Sequence, residues 1–509
     1  MNKDKKKFKF WFIIWVIIFA IGLVNKEFQN DTFYTIKIGK LILNNGIDML
    51  DHFSFHVGLA YTYPHWLYDV FIYLIFNIFG YTGLYISSII FLIIILLLVL
   101  KTCIKITNNY VISAFSTFIC ALALSGFITA RAQTISFILF VLEIYFIECF
   151  LKNGKKRNLI GLLLISLIIC NIHVAVWPFY FIIYLPYLAE YIIALITSKI
   201  KLKKEYKFIK YLKNKFIIEK NNNIKYLFLI MIGSLITGLI TPIGDTPYTY
   251  LIKTMMGNSQ SYIQEHQMIS WINSPFTIII TFETIFLAFF AKAKLRDVFM
   301  VCGLALMSVV SIRHISLLAL IGSICFARTF TLFFEYFNFE IDNKMIKFFS
   351  KRIVYIISFI IVIIFSTIML NIQLKKDFID KEMYPVKAVK YIKENIDIKN
   401  MKVFNDYNFG SYLLLNDIPV FIDSRADLYT KQFSGFDYDI FDDYEFIGNN
   451  YQERFNFYGI THVLIYKEDN PFYNIIKHDK NYKVLYEDKY FVFFQKIGNP
   501  NVIVKYDNK

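Results

Sequence analysis

The chain has 509 residues, of which 57% are hydrophobic and only 18% charged, with a mean hydropathy of +0.49. Soluble domains average about 45–50% apolar and about 25% charged. Composition therefore excludes a disordered chain, a collagen, a disulfide scaffold and an ordinary cytosolic enzyme, and leaves a polytopic membrane protein. The net charge of +15 is unevenly placed, because residues 372–509 carry 19 Lys+Arg against 21 Asp+Glu and the whole excess sits on the first 371. There the lysine runs fall between apolar stretches, the pattern of cytoplasmic loops under the positive-inside rule. Nucleic acid is not expected as a partner.

Apolar segments of about 17–22 residues, enough to cross a bilayer core, fall near 10–24, 82–100, 110–128, 132–151, 159–176, 177–198, 226–241, 275–291, 297–313, 315–334 and 353–371. Basic clusters lie at Lys3–Lys9, Lys101/Lys105, Lys152–Arg157, Lys199–Lys225, Lys292–Arg296 and Lys344–Arg352. With all of these inside, about 11 spans put the N-terminus in the cytoplasm and the tail outside; 12 or 13 spans are the alternatives. Trp66–Phe79 then reads as an interfacial or re-entrant helix, and 82–100 as the span. The first segment also fits a signal peptide, with a basic start and Ala20-x-Gly22. Two outer stretches are too long for connectors, 25–65 and 242–274. The lysine-rich 199–225 loop has an amphipathic pattern suited to an anionic inner leaflet. All six cysteines sit in or beside apolar segments, with no CxxC, and read as small buried residues.

The tail, 372–509, changes grammar. Pro385 opens a helical stretch with Val386, Val389, Ile392 and Ile396 on one side. Short β-rich runs follow at 402–404, 419–422, 462–466 and, as a hairpin, 482–486 with 490–495. Helical patterns separate them near 409–415, 450–458 and 471–478. The fold class read from this is a polytopic α-helical membrane protein with a C-terminal extracytoplasmic α/β domain: a multi-span domain over 1–371 and a small α/β domain over 372–509.

Chemistry-bearing residues gather on the expected outer face. All eight histidines fall outside or at outer helix ends, among them His52, His65, His173, His266 and His314. Arginine is scarce, 8 against 46 lysines, yet Arg131 and Arg313 sit at outer span ends, where the positive-inside rule disfavours them. Wrong-side charges mark functional cavities, with snorkelling as the bland reading. In the first loop Asp31 lies a few residues beyond the first span. It suits either a general base at the membrane surface or an N-cap for a 32–44 helix that Gly46 ends. Asp51 and His52 follow after that reversal. Glu265-His266 lies in the 242–274 loop. Glu143, Glu148 and Glu283 are acids inside spans; Glu148 reads as snorkelling and Glu283 as a helix–helix hydrogen-bonding group. In the tail, Asp423, Arg425 and Asp427 alternate, which favours an internal Arg–carboxylate bridge over acceptor-glycan binding.

This plan resembles the GT-C superfamily of membrane glycosyltransferases. The likeness rests on Asp31…Gly39…Gly46…Asp51-x-Phe-Ser54…His65-Trp66-Leu67, Ala130-Arg131-Ala-Gln133, Asn171-x-His173 and Thr241-Pro242-x-Gly244. In the tail it rests on Asn405-Asp406-Tyr-x-x-Gly410-Ser-Tyr412 and Phe421-Ile-Asp423-x-Arg425-Ala-Asp427. Uncharacterised bacterial members are the most similar group. The resemblance implies transfer of a sugar from a polyprenyl-phosphate-linked donor to an envelope glycan, lipid or protein acceptor, among membrane lipids. Asp31 and Asp51 are then the catalytic candidates. Arg131, Arg313, His52, His65, His173, His314, Glu265 and His266 are the substrate-binding ones. GT-C loops often carry paired acids, whereas Asp31 stands between Asn30 and Thr32, so Asp48 or Asp51 would supply a second. No cofactor is firmly implied; a divalent metal is compatible. A non-catalytic assembly scaffold and a lipid-linked-sugar flippase are the alternative readings.

Overall fold

A computed structural model describes residues 3–199, 211–212, 214–257, 275–290, 292–339, 341–349, 351–448 and 450–498. They form two compact units. Unit 1 comprises residues 1–26, 85–247 and 264–375, and unit 2 comprises 27–84, 248–263 and 376–509.

Unit 1 is helical. Each of the eleven apolar segments carries a helix. Among the described residues six helices are long and apolar enough to cross a membrane, including Ala132–Asn153, Val174–Ser198, Ile312–Tyr336 and Arg352–Leu374. Ile224–Leu239 and Pro275–Phe290 are shorter, as are Lys156–Ile172 and Leu295–Val310, and Lys3–Leu23 begins in its lysine run. The 42-residue run Trp66–Thr107 is broken at Gly80 (φ 60°, ψ −154°). That break lies between the expected interfacial helix and the expected span. Ile315–Tyr336 is the central element, with every residue from Ile315 to Thr329 buried. Arg352–Leu374 buries only Ser366, which suits an apolar helix whose solvent is lipid.

The acids within the spans depart from the sequence reading. Glu148 does not snorkel: it accepts from Arg328 Nη2 (2.6 Å) and from the Tyr187 hydroxyl (3.0 Å). Buried Arg296 adds bonds to Glu190 and Glu219, both 2.9 Å. Here a short parallel pairing of Phe216–Ile217 with Ala293–Lys294 brings Glu219 to Lys294 and Arg296. Charges taken out of water need partners of this kind. Glu143 is fully buried, and Glu283 is exposed on its helix.

Unit 2 is built on a four-stranded sheet in the order Val403–Asn405, His462–Tyr466, Phe491–Lys496, Tyr482–Glu487. The first pair is parallel and the others antiparallel. Helices Val386–Asn395, Tyr407–Leu415, Tyr451–Tyr458 and Pro471–Ile476 surround it. The expected 419–422 strand makes only a bridge, Val420 to Val403, and on its other side Val420 pairs with Ser54.

That pairing shifts the domain boundary. Residues 27–84 do not belong with the membrane helices but pack with the tail, whose limb begins at Lys376 rather than 372. The Asn30–Asn45 helix, expected to lie along the membrane, is buried from Thr32 through Ile36 and again at Ile38 and Gly39. Phe33 sits between Tyr384 and Tyr412, at 5.0 and 5.4 Å. Gly46 ends the helix at φ 81°, as expected.

Two glycines set these crossings. A Cβ on Gly39 would lie 2.0 Å from the Asp69 carbonyl oxygen, and one on Gly410 would lie 2.1 Å from that of Ile422. Both obstacles are backbone. Gly39→Ala and Gly410→Ala should each destabilise unit 2 by at least the roughly 1–3 kcal/mol typical of overpacking, read as a lower Tm in detergent. Gly303→Ala, where a Cβ meets nothing within 4 Å, should leave Tm unchanged or raise it.

Candidate functional site

The densest polar constellation of unit 2 joins the first loop to the tail. Arg425 Nη1 donates to Asp51 Oδ1 (2.6 Å), while its Nη2 and Nε donate to the two oxygens of Asp423 (2.7 and 2.9 Å). The Tyr429 hydroxyl donates to Asp423 Oδ2 (2.6 Å). The Ser54 amide and hydroxyl donate to Asp51 Oδ2 (2.9 and 2.5 Å). The guanidinium lies over the Tyr61 ring at 5.1 Å and the Phe53 ring at 5.6 Å. All three charged side chains are buried. Burial would raise the Asp51 carboxyl, but the Arg425 charge and the Ser54 donors outweigh it and hold the group below its ordinary value. Asp51, expected to be catalytic, is thus a structural carboxylate with both oxygens engaged. The internal-bridge reading of Asp423 and Arg425 stands, with its reach extended to the loop. His56 adds a second tie, with Nε2 donating to the Phe421 carbonyl (2.8 Å); burial presses its ring down to about 4, so it is neutral at pH 7.

Asp31 lies in the first turn of the Asn30–Asn45 helix. The N-cap position is Gln29, without a side-chain cap bond, so Asp31 is not the cap. It is half-buried and lies near Tyr384. Burial raises that phenol, and the carboxylates of Asp31, Asp380 and Glu27 push it the same way. One turn on, the Tyr34 hydroxyl meets His65 Nε2 (3.1 Å), and His65 Nδ1 meets Asp69 Oδ1 (2.8 Å). Both His65 nitrogens are therefore engaged by protein, which makes it a positioning residue for this helix rather than a phosphate ligand. His52 pairs with Asp48 (2.6 Å) at the surface.

In unit 1 four expected residues gather at one end of the bundle. Arg131 occupies the N-cap position of Ala132–Asn153, and His173 the C-cap position of Lys156–Ile172. Ser136 Oγ lies 3.0 Å from His173 Nδ1. Gln133 Nε2 donates to Ser316 Oγ (2.9 Å), which donates to the Arg313 carbonyl (3.1 Å). His314 Nδ1 donates to the Met307 carbonyl (3.0 Å), and its ring packs 5.2 Å from Phe179. Arg131 and Arg313 are half-buried. The arrangement places two arginines and two histidines at neighbouring helix ends. Glu265 and His266 lie outside the described residues.

Sequence reasoning missed three features. Asp69 is fully buried, and its spacing of four from His65 was the available signal. Arg296 reads as the end of an inner-face basic cluster, and Arg328 carries no local signal; both are buried ion-pair centres. Asp406 accepts from the Tyr466 amide (2.6 Å). Among the described residues no group of three His, Cys, Asp or Glu could hold a metal ion.

Burial raises the Asp406 carboxyl from 3.8 to about 7, against the Tyr466 and Asn470 hydrogen bonds that lower it. A raised carboxyl takes up a proton on folding, so stability falls as pH climbs from about 4 to about 7 and levels off above. Asp406→Asn should raise Tm at pH 8 and change it little at pH 4.5, as measured by thermal unfolding at both values. Arg425→Gln should lower unit 2 stability by about 3–5 kcal/mol, because it strands two buried carboxylates; a denaturant titration in detergent measures this.

No protein-family profile and no curated protein sequence matches the chain. Among solved structures, the chain is similar to the crystal structure of the Archaeoglobus fulgidus oligosaccharyltransferase tethered to an acceptor peptide. The TM-score is 0.55 at 11% identity, over 97% of this chain and 75% of that one. The chain thus shares the fold of that oligosaccharyltransferase structure.

Proposed function

We propose that the protein transfers a sugar from a polyprenyl-phosphate donor to a cell-envelope acceptor. The observation that carries this is the fold likeness over 97% of the chain, to a protein whose structure holds an acceptor peptide. The polar end of unit 1 supports a phosphate-binding role, since a departing phosphate needs cations and donors aimed at it. Arg131 and Arg313 supply the planar forks, and His173 and His314 line the same end. We read that end as extracytoplasmic, with the N-terminus in the cytoplasm and unit 2 outside, from the placement of the lysine clusters.

The reaction forms a bond from the acceptor oxygen to the anomeric carbon and breaks the bond from that carbon to the donor phosphate. The phosphate leaves with the electron pair, and the hydroxyl proton passes to a base. Asp31 is our candidate base. It stands in the first turn of the Asn30–Asn45 helix, half-buried, while the cap position of that helix belongs to Gln29.

The test compares Asp31→Asn, Asp31→Ala and wild type for transfer of radiolabelled hexose from a polyprenyl phosphate to membrane material. Loss of a positioned base should lower the rate by about 10²–10⁴-fold in both variants with Tm unchanged. Transfer by the Asn variant at the wild-type rate would remove Asp31 from the chemistry. Arg131→Ala and Arg313→Ala should each weaken donor binding about 10- to 100-fold, the equivalent of a charge-assisted hydrogen bond. Lys should rescue only in part, because it lacks the planar fork.

A further inference from the structure

Unit 2 contains a cleft of about 430 Å³ that no step above uses. It falls within the range of about 300–1,000 Å³ typical of ligand pockets. Its apolar walls are rings, Phe404, Phe409 and Phe472, joined by Tyr444 and Tyr466. Its polar groups come from three places. Asp406 and Asn408 stand where the Tyr407–Leu415 helix begins, Glu445 closes the Ile440–Glu445 helix, and Glu468-Asp469-Asn470 forms the turn after the His462–Tyr466 strand. Among the described residues no lysine or arginine lines it.

Flat rings beside carboxylate and amide oxygens are what a sugar ring requires. The half-buried Tyr444 and Tyr466 rings, backed by the buried phenylalanines, take its C–H face, and the oxygens accept from its hydroxyls. The acidic side chains Glu445, Glu468 and Asp469, with Asp406 charged only in part near pH 7, repel a uronate or a phosphate and attract an ammonium group.

The cleft is tied to the Asp31 helix within the same unit. Asn30 Nδ2 donates to the Tyr407 carbonyl (2.8 Å), and Tyr407 lies between the two lining residues Asp406 and Asn408. Met383, on the cleft wall, precedes Tyr384, which packs on Phe33 of the same helix.

We propose that this cleft is the acceptor subsite and that it takes an uncharged or amine-bearing sugar and rejects an anionic one. The assignment as acceptor rests on the transferase reading above; the sugar selectivity does not.

The experiment is ligand-observed NMR on the purified full-length protein in detergent. The probes are methyl glucoside, glucosamine and methyl glucuronide, with wild type compared against the surface variants Glu468→Lys and Asp469→Lys. The first two sugars should give saturable binding at least tenfold tighter than the glucuronide, and each charge reversal should narrow that gap. Equal binding of all three sugars, no binding of any, or a gap that survives both reversals would overturn the proposal. Selective binding by a protein that never turns over donor would retain the sugar site and remove the transferase reading. Turnover without selectivity would do the reverse.

Discussion

The buried Arg425 guanidinium, held between Asp51 and Asp423, is the interaction on which unit 2 depends. These carboxylates are 374 and 2 residues away along the chain. One cation thus joins a loop near the N-terminus to a segment near the C-terminus. Taking an arginine and two carboxylates out of water is expensive, and the cost is offset only when nearly every donor and acceptor is matched. Here Ser54, Tyr429 and the backbone of the turn complete the set. The aromatic rings of Tyr61 and Phe53 seal it. A cluster so fully satisfied leaves no lone pair for substrate, which is why it positions chemistry rather than performing it.

The position of the Asn30–Asn45 helix follows from this constraint. Once the loop is clamped at Asp51 and Ser54, the helix packs against Tyr407–Leu415, and the missing side chain at Gly39 lets it cross the Trp66 helix at Asp69. The Tyr34–His65–Asp69 chain fixes the same crossing with hydrogen bonds. Asp31 is left at the beginning of a rigid element, half-buried among other acids. In unit 1 the logic is parallel. Arg296 and Arg328 are consumed by Glu148, Glu190 and Glu219, whereas Arg131 and Arg313 stand at helix ends.

Much of the fold was legible because it depends on local pattern. The apolar segments gave the eleven helices, and alternating β-branched and aromatic residues gave the 462–466 strand and the 482–495 hairpin. What was not legible depends on pairing over long separations. Nothing local in Asp51 distinguishes a base from a bridge partner; only Arg425, brought in from the tail, decides it. Pro419–Ile422 has strand composition, yet its partners are the Ser54 backbone and a single residue of the sheet edge. Glu148 has the sequence of a snorkelling acid, and Arg328, on a different helix, makes it a buried one. Asp406 was read as part of a motif. Its raised carboxyl comes from walls contributed by Tyr444, Tyr466 and Phe472, which no spacing rule assembles.

Residues 27–84 and the tail should unfold as one cooperative unit held by the Arg425 bridge. Hydrogen–deuterium exchange read by mass spectrometry on peptides covering 48–63 and 460–467 tests it most directly. In wild type the two peptides should share one high protection, and in Arg425→Met both should lose it together. A 48–63 peptide that exchanges rapidly in wild type, or that loses protection in the variant while 460–467 keeps it, would contradict the account.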